Sequence, residues 1–325
     1  MELIEQAQEV YAENFPPETF FGRCIFLSWY CQRGTCKFCF RYTISHKIKY
    51  AEAARRSLAS VLTDAIIGKN LGWPIEFLTG GYGIFDFNEI VEIAKQISEI
   101  YGCKIWVNLG MLKEEEMLQL QPWVEGICAS IETVNLELHQ KICPDKKIEP
   151  YEQMLEIAGK LGLKKSMTVV IGLGETKEDF VLLEKFIQKH QLDQITFYAL
   201  KPVRGTEFTE PPETGYYAWW IAKTRIAFPK IKIMAGLTPK KIDYTELILR
   251  AGANSITKFS ALRKFNSPEA EEVERQVKLA GREFKGSLTK LPDVDWNAEV
   301  DSLSVNIMVK EKIKFKLNQY LGKMS

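Results

Sequence analysis

The 325-residue chain is predicted to be an α/β protein that folds as a (β/α)8 barrel with an N-terminal helix and a C-terminal extension. Eight short apolar runs, rich in β-branched and aromatic residues, alternate with amphipathic stretches. Strands separated by helices pair in parallel, so eight such units predict a closed barrel, with a doubly wound open sheet as the alternative. No linker of low complexity interrupts this alternation until residue 285. We therefore predict a barrel domain over 1–285 and an extension over 286–325 that packs on it.

The order of the elements follows from local patterns. The predicted strands are 23–30, 73–81, 103–110, 124–132, 165–174, 195–202, 230–237 and 253–259. The predicted helices repeat apolar residues every three or four positions. One is capped by Asp86 or Asn88, and the next has an acidic start at 113–117. The others are predicted at 150–162, 175–190, 215–228, 240–251 and 267–284.

Composition excludes several classes of protein. Forty-three basic and 42 acidic side chains nearly cancel, so neither nucleic acid nor an acidic membrane is expected as a partner. No run of 18 apolar residues predicts a membrane span, and the acidic N-terminus is unlike a signal peptide. Seven scattered cysteines do not suggest a disulfide framework in so long a chain, which favours the reducing cytoplasm.

The loop after the first predicted strand contains Cys31, Cys36 and Cys39, spaced C-x4-C-x2-C. Loops that follow barrel strands build the active site, and closely spaced thiolates can converge on a metal centre. A structural zinc site needs four ligands, and here His46 is the nearby candidate for the fourth. A [4Fe–4S] cluster held by three cysteines leaves one iron open for a small molecule, and we favour this interpretation.

The cysteine loop resembles the signature of the radical S-adenosylmethionine (SAM) family, C-x3-C-x2-C with an aromatic residue before the last cysteine. Phe38 takes the aromatic position, and one extra residue separates the first two cysteines. The resemblance implies that the three cysteines hold a [4Fe–4S] cluster and that SAM binds its open iron. It implies that the cysteines are essential for catalysis and that Phe38 contacts the cofactor.

Later segments resemble the SAM-binding motifs of that family in the same order. Gly80, Gly81 and Tyr82 follow the second strand, where the family carries a Gly-Gly-Glu-like segment at the SAM amino group, although the glutamate is absent here. Ser130 and Glu132 match a motif of the fourth strand whose carboxylate binds the ribose hydroxyls, and a carboxylate can accept both hydrogen bonds.

The remaining motifs follow the fifth, sixth and eighth strands. Gly172 and Gly174 belong to a G-L-G-E-T segment that lets the backbone approach adenosine, and Leu200 begins the next motif. Together with A-G-A-N-S-I at 251–256, these motifs resemble the biotin synthase-like branch, over residues 5–285. The same glycines can also serve as turn residues, Glu132 can pair with a cation, and we expect Glu175 to cap the following helix.

The resemblance implies reductive cleavage of SAM, with an electron donor such as ferredoxin or flavodoxin. The 5′-deoxyadenosyl radical would then abstract hydrogen from a small substrate inside the barrel. Ser166 and Trp106 occupy positions where biotin synthase has cysteines of a second cluster, which disfavours sulfur insertion. The remaining cysteines at 24, 103, 128 and 143 are expected to be structural.

The lengthened cysteine spacing resembles HmdB-type proteins, which are linked to biosynthesis of the [Fe]-hydrogenase guanylylpyridinol cofactor. Lipoyl synthase-like sulfur insertion and a non-catalytic iron–sulfur scaffold or electron-transfer role are the alternatives. The family's arginine for the SAM carboxylate has no counterpart, since Met154 falls at its position.

Overall fold

The computed structural model describes residues 2–80, 83–238 and 242–324, and it confirms the parallel barrel. Two strands that pair outside the barrel are β1 (Glu18–Phe20) and β10 (Glu283–Lys285). The barrel strands, in both chain and sheet order, are β2 (Arg23–Phe26), β3 (Ile75–Thr79), β4 (Ile105–Asn108), β5 (Val124–Glu132), β6 (Lys164–Ile171), β7 (Gln194–Ala199), β8 (Lys232–Gly236) and β9 (Ser255–Thr257).

The gap between β9 and β2 is bridged just before β2. Phe21 forms a parallel bridge with Ile256, and the Gly22 amide donates to the Ile256 carbonyl at 2.8 Å. The Thr257 hydroxyl also donates to the Gly22 carbonyl at 3.1 Å. These bonds bring the first and last barrel strands together, so the sheet forms a barrel rather than an open doubly wound sheet.

Helices surround the barrel and connect its strands. They are α1 (Glu2–Asn14), α2 (Phe40–Ile44), α3 (Leu58–Asn70), α4 (Phe87–Tyr101), α5 (Glu114–Leu120), α6 (Leu136–Ile142), α7 (Glu149–Lys160), α8 (Phe180–His190), α9 (Thr214–Ala227), α10 (Thr245–Arg250), α11 (Pro268–Leu279), α12 (Trp296–Asp301) and α13 (Ile307–Met324). Helix α4 begins at the predicted Asp86 cap, whose carboxylate accepts the Asn88 amide at 2.9 Å. Among the described residues, no helix combines the length and apolarity that a membrane crossing requires.

Alternate residues of each strand face either the helices or the barrel interior, as the period of a strand dictates. In β6, Met167, Val169 and Ile171 belong to the main hydrophobic core. The intervening side chains face inward and include Ser166 and Thr168, so the interior is more polar than the helix side.

Three predicted helices have different limits in the structure. The helix predicted at 267–284 ends at Leu279, and 283–285 forms β10 instead. Gly281 adopts φ +72°, a conformation that ends a helix readily because glycine has no Cβ. The helix predicted at 175–190 begins at Phe180 after a short 3-10 turn, and that predicted at 240–251 is helical from Thr245.

The C-terminal extension packs against α3 and the loop that follows it. The Trp73 indole donates to the Ser287 carbonyl at 2.8 Å, and Lys69 pairs with Glu299 at 2.9 Å. The buried apolar residues of this extension are Leu288, Val300, Ile313, Leu317 and Met324. The boundary at residue 285 stays a prediction.

Candidate active site

The cysteine loop lies at the carboxyl ends of the strands, between β2 and α2. Cys31, Cys36 and Cys39 are all partly exposed, and all three line a cavity of about 170 Å³. The Cys39 amide donates to the Cys36 carbonyl, and the Lys37 amide donates to the Ile142 carbonyl, each at 2.9 Å. These backbone bonds fix the second half of the loop against the end of α6.

The same cavity collects most of the other predicted site residues. Its lining also includes Arg33, Gly34, Phe38, Arg41, Tyr42, Thr79, Gly80, Asn108, Gly110, Ser130, Glu132, Lys146 and Tyr151. The loops after β2, β3 and β4, the end of β5 and the start of α7 therefore meet around the three thiols. Gly81 and Tyr82, predicted from the sequence, lie outside the described residues.

Polar atoms of the cysteine loop are suited to a bound group. Arg41 donates through Nη2 to the Ser28 carbonyl at 3.0 Å, while its buried Nε has no hydrogen-bond partner among the described residues. The buried Thr35 hydroxyl also lacks a partner there. The three thiols and Arg41 line the cavity together, a donor set that fits a cluster and a polar ligand. No three potential ligands among the described residues converge as they would on a single ion.

Cys143, expected to be structural, contacts a proposed cluster ligand instead. Its hydrogen bond to Cys36 lowers the pKa of Cys36, although burial acts in the opposite direction. That bond, together with burial, raises the pKa of Cys143, so the buried Cys143 thiol is the donor. A thiolate at Cys36 is the form that binds iron.

The other three cysteines do not share this site. Cys128 is buried beside Phe77 and Trp106 in the barrel, as expected for a small apolar side chain. Cys103 is exposed, so the expectation of a packed thiol is wrong at that position. Cys24 lies on β2 and is partly exposed.

Glu132 and Lys146 form an ion pair beside the thiols. The pairing of β5 with β6 shifts register between Ser130 and Glu132, and Glu132 has φ +67°. Such an irregularity at a strand end redirects a side chain, here into the cavity. The Lys146 ammonium lies 2.7 Å from Glu132 Oε1 and 5.3 Å from the Tyr151 ring centroid. Burial, the largest single effect, would lower the pKa of Lys146, but Glu132 together with Tyr151, Cys36 and Cys143 outweighs it and raises that pKa.

This ion pair confirms the expectation that Glu132 can pair with a cation. Lys146 is 7% exposed, and sequence reasoning had not identified it. Its position is supported by His139, a buried residue whose imidazole contacts the carbonyls of Thr133 and Lys146. Binding of ribose by Glu132 stays a prediction, and the second carboxylate oxygen is available for it.

Ser130 and Gly80 occupy neighbouring parts of the cavity wall. The Ser130 hydroxyl donates to Asn108 Oδ1 at 2.8 Å, which joins the ends of β5 and β4. A Cβ at Gly80 would lie 2.9 Å from Leu27 Cβ, so close packing alone requires a glycine there. The turn interpretation of Gly80 and its predicted cofactor contact are therefore compatible.

Glu175 does not cap the following helix, contrary to expectation. Its carboxylate accepts the amides of Gly172, Leu173 and Gly174 at 2.7, 2.9 and 3.2 Å. Gly172 and Gly174 have φ +105° and +120°, values that favour glycine and bring three amides around one acceptor. The 3-10 turn is capped by Thr176 and Asp179 instead.

Leu200 and the Gly172–Gly174 loop lie beside a second cavity rather than on the cysteine cavity. This cavity measures about 320 Å³, and its lining includes Phe38 and Cys39, which it shares with the first, and Leu200. A Cβ at Gly172 would lie 3.1 Å from Leu200 Cβ, so the Gly172–Gly174 loop packs against Leu200. The predicted SAM contacts thus divide between two adjoining cavities.

We expect that Glu175→Ala will weaken SAM binding by about tenfold, because the Gly172–Gly174 amides lose their common acceptor and the loop loosens. Isothermal titration of the iron–sulfur protein with SAM measures this change. Glu178→Ala is the matched control, since Glu178 is a neighbouring surface residue. Equal SAM affinity in both variants would contradict the supporting role of Glu175.

Comparisons with known proteins agree with this geometry. The family model described as "Radical SAM superfamily" matches residues 26–187. An uncharacterized protein of Methanocaldococcus jannaschii is 33% identical, over 99% of this chain and 95% of that protein. Biotin synthase of Chlamydia pneumoniae is 25% identical over 60% of each chain. The crystal structure of methylornithine synthase (PylB) shares the fold, with a TM-score of 0.72, 21% identity and coverage of 87% and 88% of the two chains.

The fold is that of a barrel enzyme, and a thiol-lined cavity lies at the carboxyl ends of its strands. The chain belongs to the radical SAM superfamily, in its biotin synthase-like branch. Members of this superfamily use a [4Fe–4S] cluster and SAM, and act on small molecules with the help of a reductant.

Proposed function

We propose that Cys31, Cys36 and Cys39 hold the [4Fe–4S] cluster and that SAM binds next to it in the same cavity. The observation that carries this proposal is the shared cavity, which joins the three thiols to Ser130 and Glu132 from β5. When bound, the cluster and SAM supply a 5′-deoxyadenosyl radical for hydrogen abstraction from a substrate. The protein's part is to bind, orient and shield the reactants.

Individual side chains divide these tasks. Lys146 orients Glu132, so the carboxylate can accept the ribose hydroxyls. Arg41 lines the same cavity, and its guanidinium is suited to pair with the carboxylate of SAM. Phe38 and Leu200 present apolar surface to the nucleoside, and Gly172 and Gly174 allow the loop behind Leu200 to close. Gly80 lines the cavity, and we assign it the SAM amino group together with Gly81 and Tyr82, which lie outside the described residues.

The proposed pathway is biosynthesis of the guanylylpyridinol cofactor of [Fe]-hydrogenase, as in HmdB-type proteins. The lengthened spacing from Cys31 to Cys36 and the sequence Gly80-Gly81-Tyr82 support it. Loss of that cofactor after deletion of the gene, in a host that makes [Fe]-hydrogenase, is the expected result. A normal cofactor level in the deletion strain would rule out a role for the protein in this pathway. Ferredoxin or flavodoxin is the proposed electron donor.

Sulfur insertion is less well supported. Cys103 is exposed, Cys143 contacts Cys36, and Cys128 packs on Trp106, so these described cysteines are divided among separate environments. A second cluster inside the barrel would need several of them together. An iron content of about four per chain is expected, whereas about eight would favour sulfur insertion.

Cleavage of SAM separates the enzyme from a passive iron–sulfur scaffold. The protein is reconstituted with iron and sulfide without oxygen, reduced with dithionite and given SAM. We expect 5′-deoxyadenosine in the products, measured by liquid chromatography and mass spectrometry. A fully loaded protein that yields none would support the scaffold interpretation.

A further inference from the structure

The second cavity has an unbalanced charge. Its wall between β6 and β8 is apolar, with Val170, Leu200, Val203 and Leu237. Two lysines, Lys201 and Lys258, also line it, and its described lining contains no acidic residue. A cavity of this kind favours a molecule with an apolar body and a negative charge.

Lys258 is held in position without a direct ion pair in the described part of the chain. Burial would lower its pKa, but nearby groups, Cys24 and Glu76 among them, raise it. Lys258 follows β9 with φ +64°, a conformation that costs a lysine about 1–3 kcal/mol and persists only where its surroundings impose it. Its ammonium lies 4.4 Å from the Tyr198 ring centroid. Among the described residues, the ammonium forms no hydrogen bond or ion pair, and the side chain is exposed to the cavity.

The carboxylate nearest to this arrangement is already occupied. Glu76 is fully buried at an irregular pairing between β2 and β3, and it accepts the hydroxyls of Tyr198 and Thr257, one on each oxygen. These bonds fix the Tyr198 ring beneath Lys258 and tie β3 to β7 and β9. Glu76 therefore positions the lysine through Tyr198, and Lys258 remains part of the cavity wall.

SAM does not account for the positive charge at this end. In the proposed function, the carboxylate of SAM lies in the cysteine cavity near Arg41, and adenine, beside Phe38 and Leu200, is neutral. Lys258 lies on the opposite side of the second cavity, at β9, where no part of SAM is placed. The two cavities share Phe38 and Cys39, so a molecule held by Lys258 would adjoin the proposed SAM site.

We propose that the substrate is a small carboxylic acid with an apolar body, whose carboxylate pairs with Lys258 and whose body packs against Val170 and Leu200. This inference rests on the proposed function, because it places the substrate beside SAM. The described lining offers the ammonium groups of Lys258 and Lys201 in a mainly apolar surround but no guanidinium. A carboxylate can pair with one ammonium, whereas a phosphate favours several donors or a guanidinium fork.

Hexanoate and its neutral counterpart hexanamide are the probes that test the inference. Each is titrated by calorimetry into the anaerobically reconstituted holoenzyme, with and without SAM. We expect hexanoate to bind about tenfold more tightly than hexanamide. Lys258→Met should abolish that preference, and Lys258→Arg should keep it. Lys278→Met, on the outer helix α11, is the matched control and should keep it as well.

The results that would contradict this inference can be distinguished from a failure of the proposed function. Wild-type enzyme without a preference for hexanoate, or Lys258→Met with the preference intact, would overturn the inference. Tighter binding of hexyl phosphate than of hexanoate would overturn the choice of carboxylate. Formation of 5′-deoxyadenosine is measured on the same preparations without a probe. If no 5′-deoxyadenosine forms, the proposed radical function is refuted, but a measured preference for the carboxylate would remain valid.

Discussion

Cys36→Ala is expected to lose the intact cluster and to reduce 5′-deoxyadenosine formation by about a thousandfold or more, because the chemistry depends on the cluster that this thiolate helps to hold. Cys36 lines the cysteine cavity, and its hydrogen bond from Cys143 favours the thiolate. Iron and sulfide analysis, the visible absorbance of the cluster and the yield of 5′-deoxyadenosine measure the effect.

Two other cysteine variants provide controls for this loss. Cys103→Ala should keep full iron content and activity, because Cys103 is exposed and does not line the cavity. Cys143→Ala should keep the cluster, since Cys143 supports Cys36 without lining the cavity. A Cys36→Ala protein that retains the full cluster and cleaves SAM would show that the ligands are assigned wrongly.

Lys146→Met is expected to lower the free energy of unfolding by about 3–5 kcal/mol, because it leaves Glu132 partly buried beside the cavity without its cation. The same change should weaken SAM binding by about tenfold or more, since the Glu132 carboxylate loses the partner that orients it. Chemical denaturation of the apoprotein and calorimetric titration of the holoenzyme with SAM measure the two effects separately.

The neighbouring Lys147→Met is the matched control, because Lys147 is exposed and does not line the cavity. Glu132→Gln should weaken SAM binding and also lower the stability, because it leaves the buried Lys146 ammonium without its counter-ion. The double variant should lose less stability than the sum of the losses of the two single variants, because each residue compensates the charge of the other. Additive losses, with SAM affinity unchanged, would contradict the role of the pair.

The sequence predicted the barrel well because its evidence is repetitive. Strand β5 was predicted at 124–132 and is observed at Val124–Glu132, and the Asp86 cap lies where predicted. By contrast, β1 and β10 have three residues each, too few for a period to appear, and they pair only because the chain ends meet. The helix predicted at 267–284 therefore extended wrongly into the first two residues of β10.

The site was predictable where a local motif marks it. The cysteine loop, Ser130 and Glu132 do line one cavity. Lys146 and Cys143 lie far from the loop in sequence, and no local pattern distinguishes them from a surface lysine and a packed thiol. Glu175 was misassigned because a carboxylate before a helix can serve either the helix or the loop preceding it. Only the positive φ values of Gly172 and Gly174 place the amides around it.

The central claim is that three cysteine ligands leave one iron of the cluster open for SAM. Electron–nuclear double resonance tests it on the dithionite-reduced holoenzyme with SAM labelled by ¹⁷O in the carboxylate and ¹⁵N in the amino group. We predict hyperfine coupling of both labels to the cluster. A fully loaded protein that shows neither coupling in the presence of saturating SAM would contradict the claim.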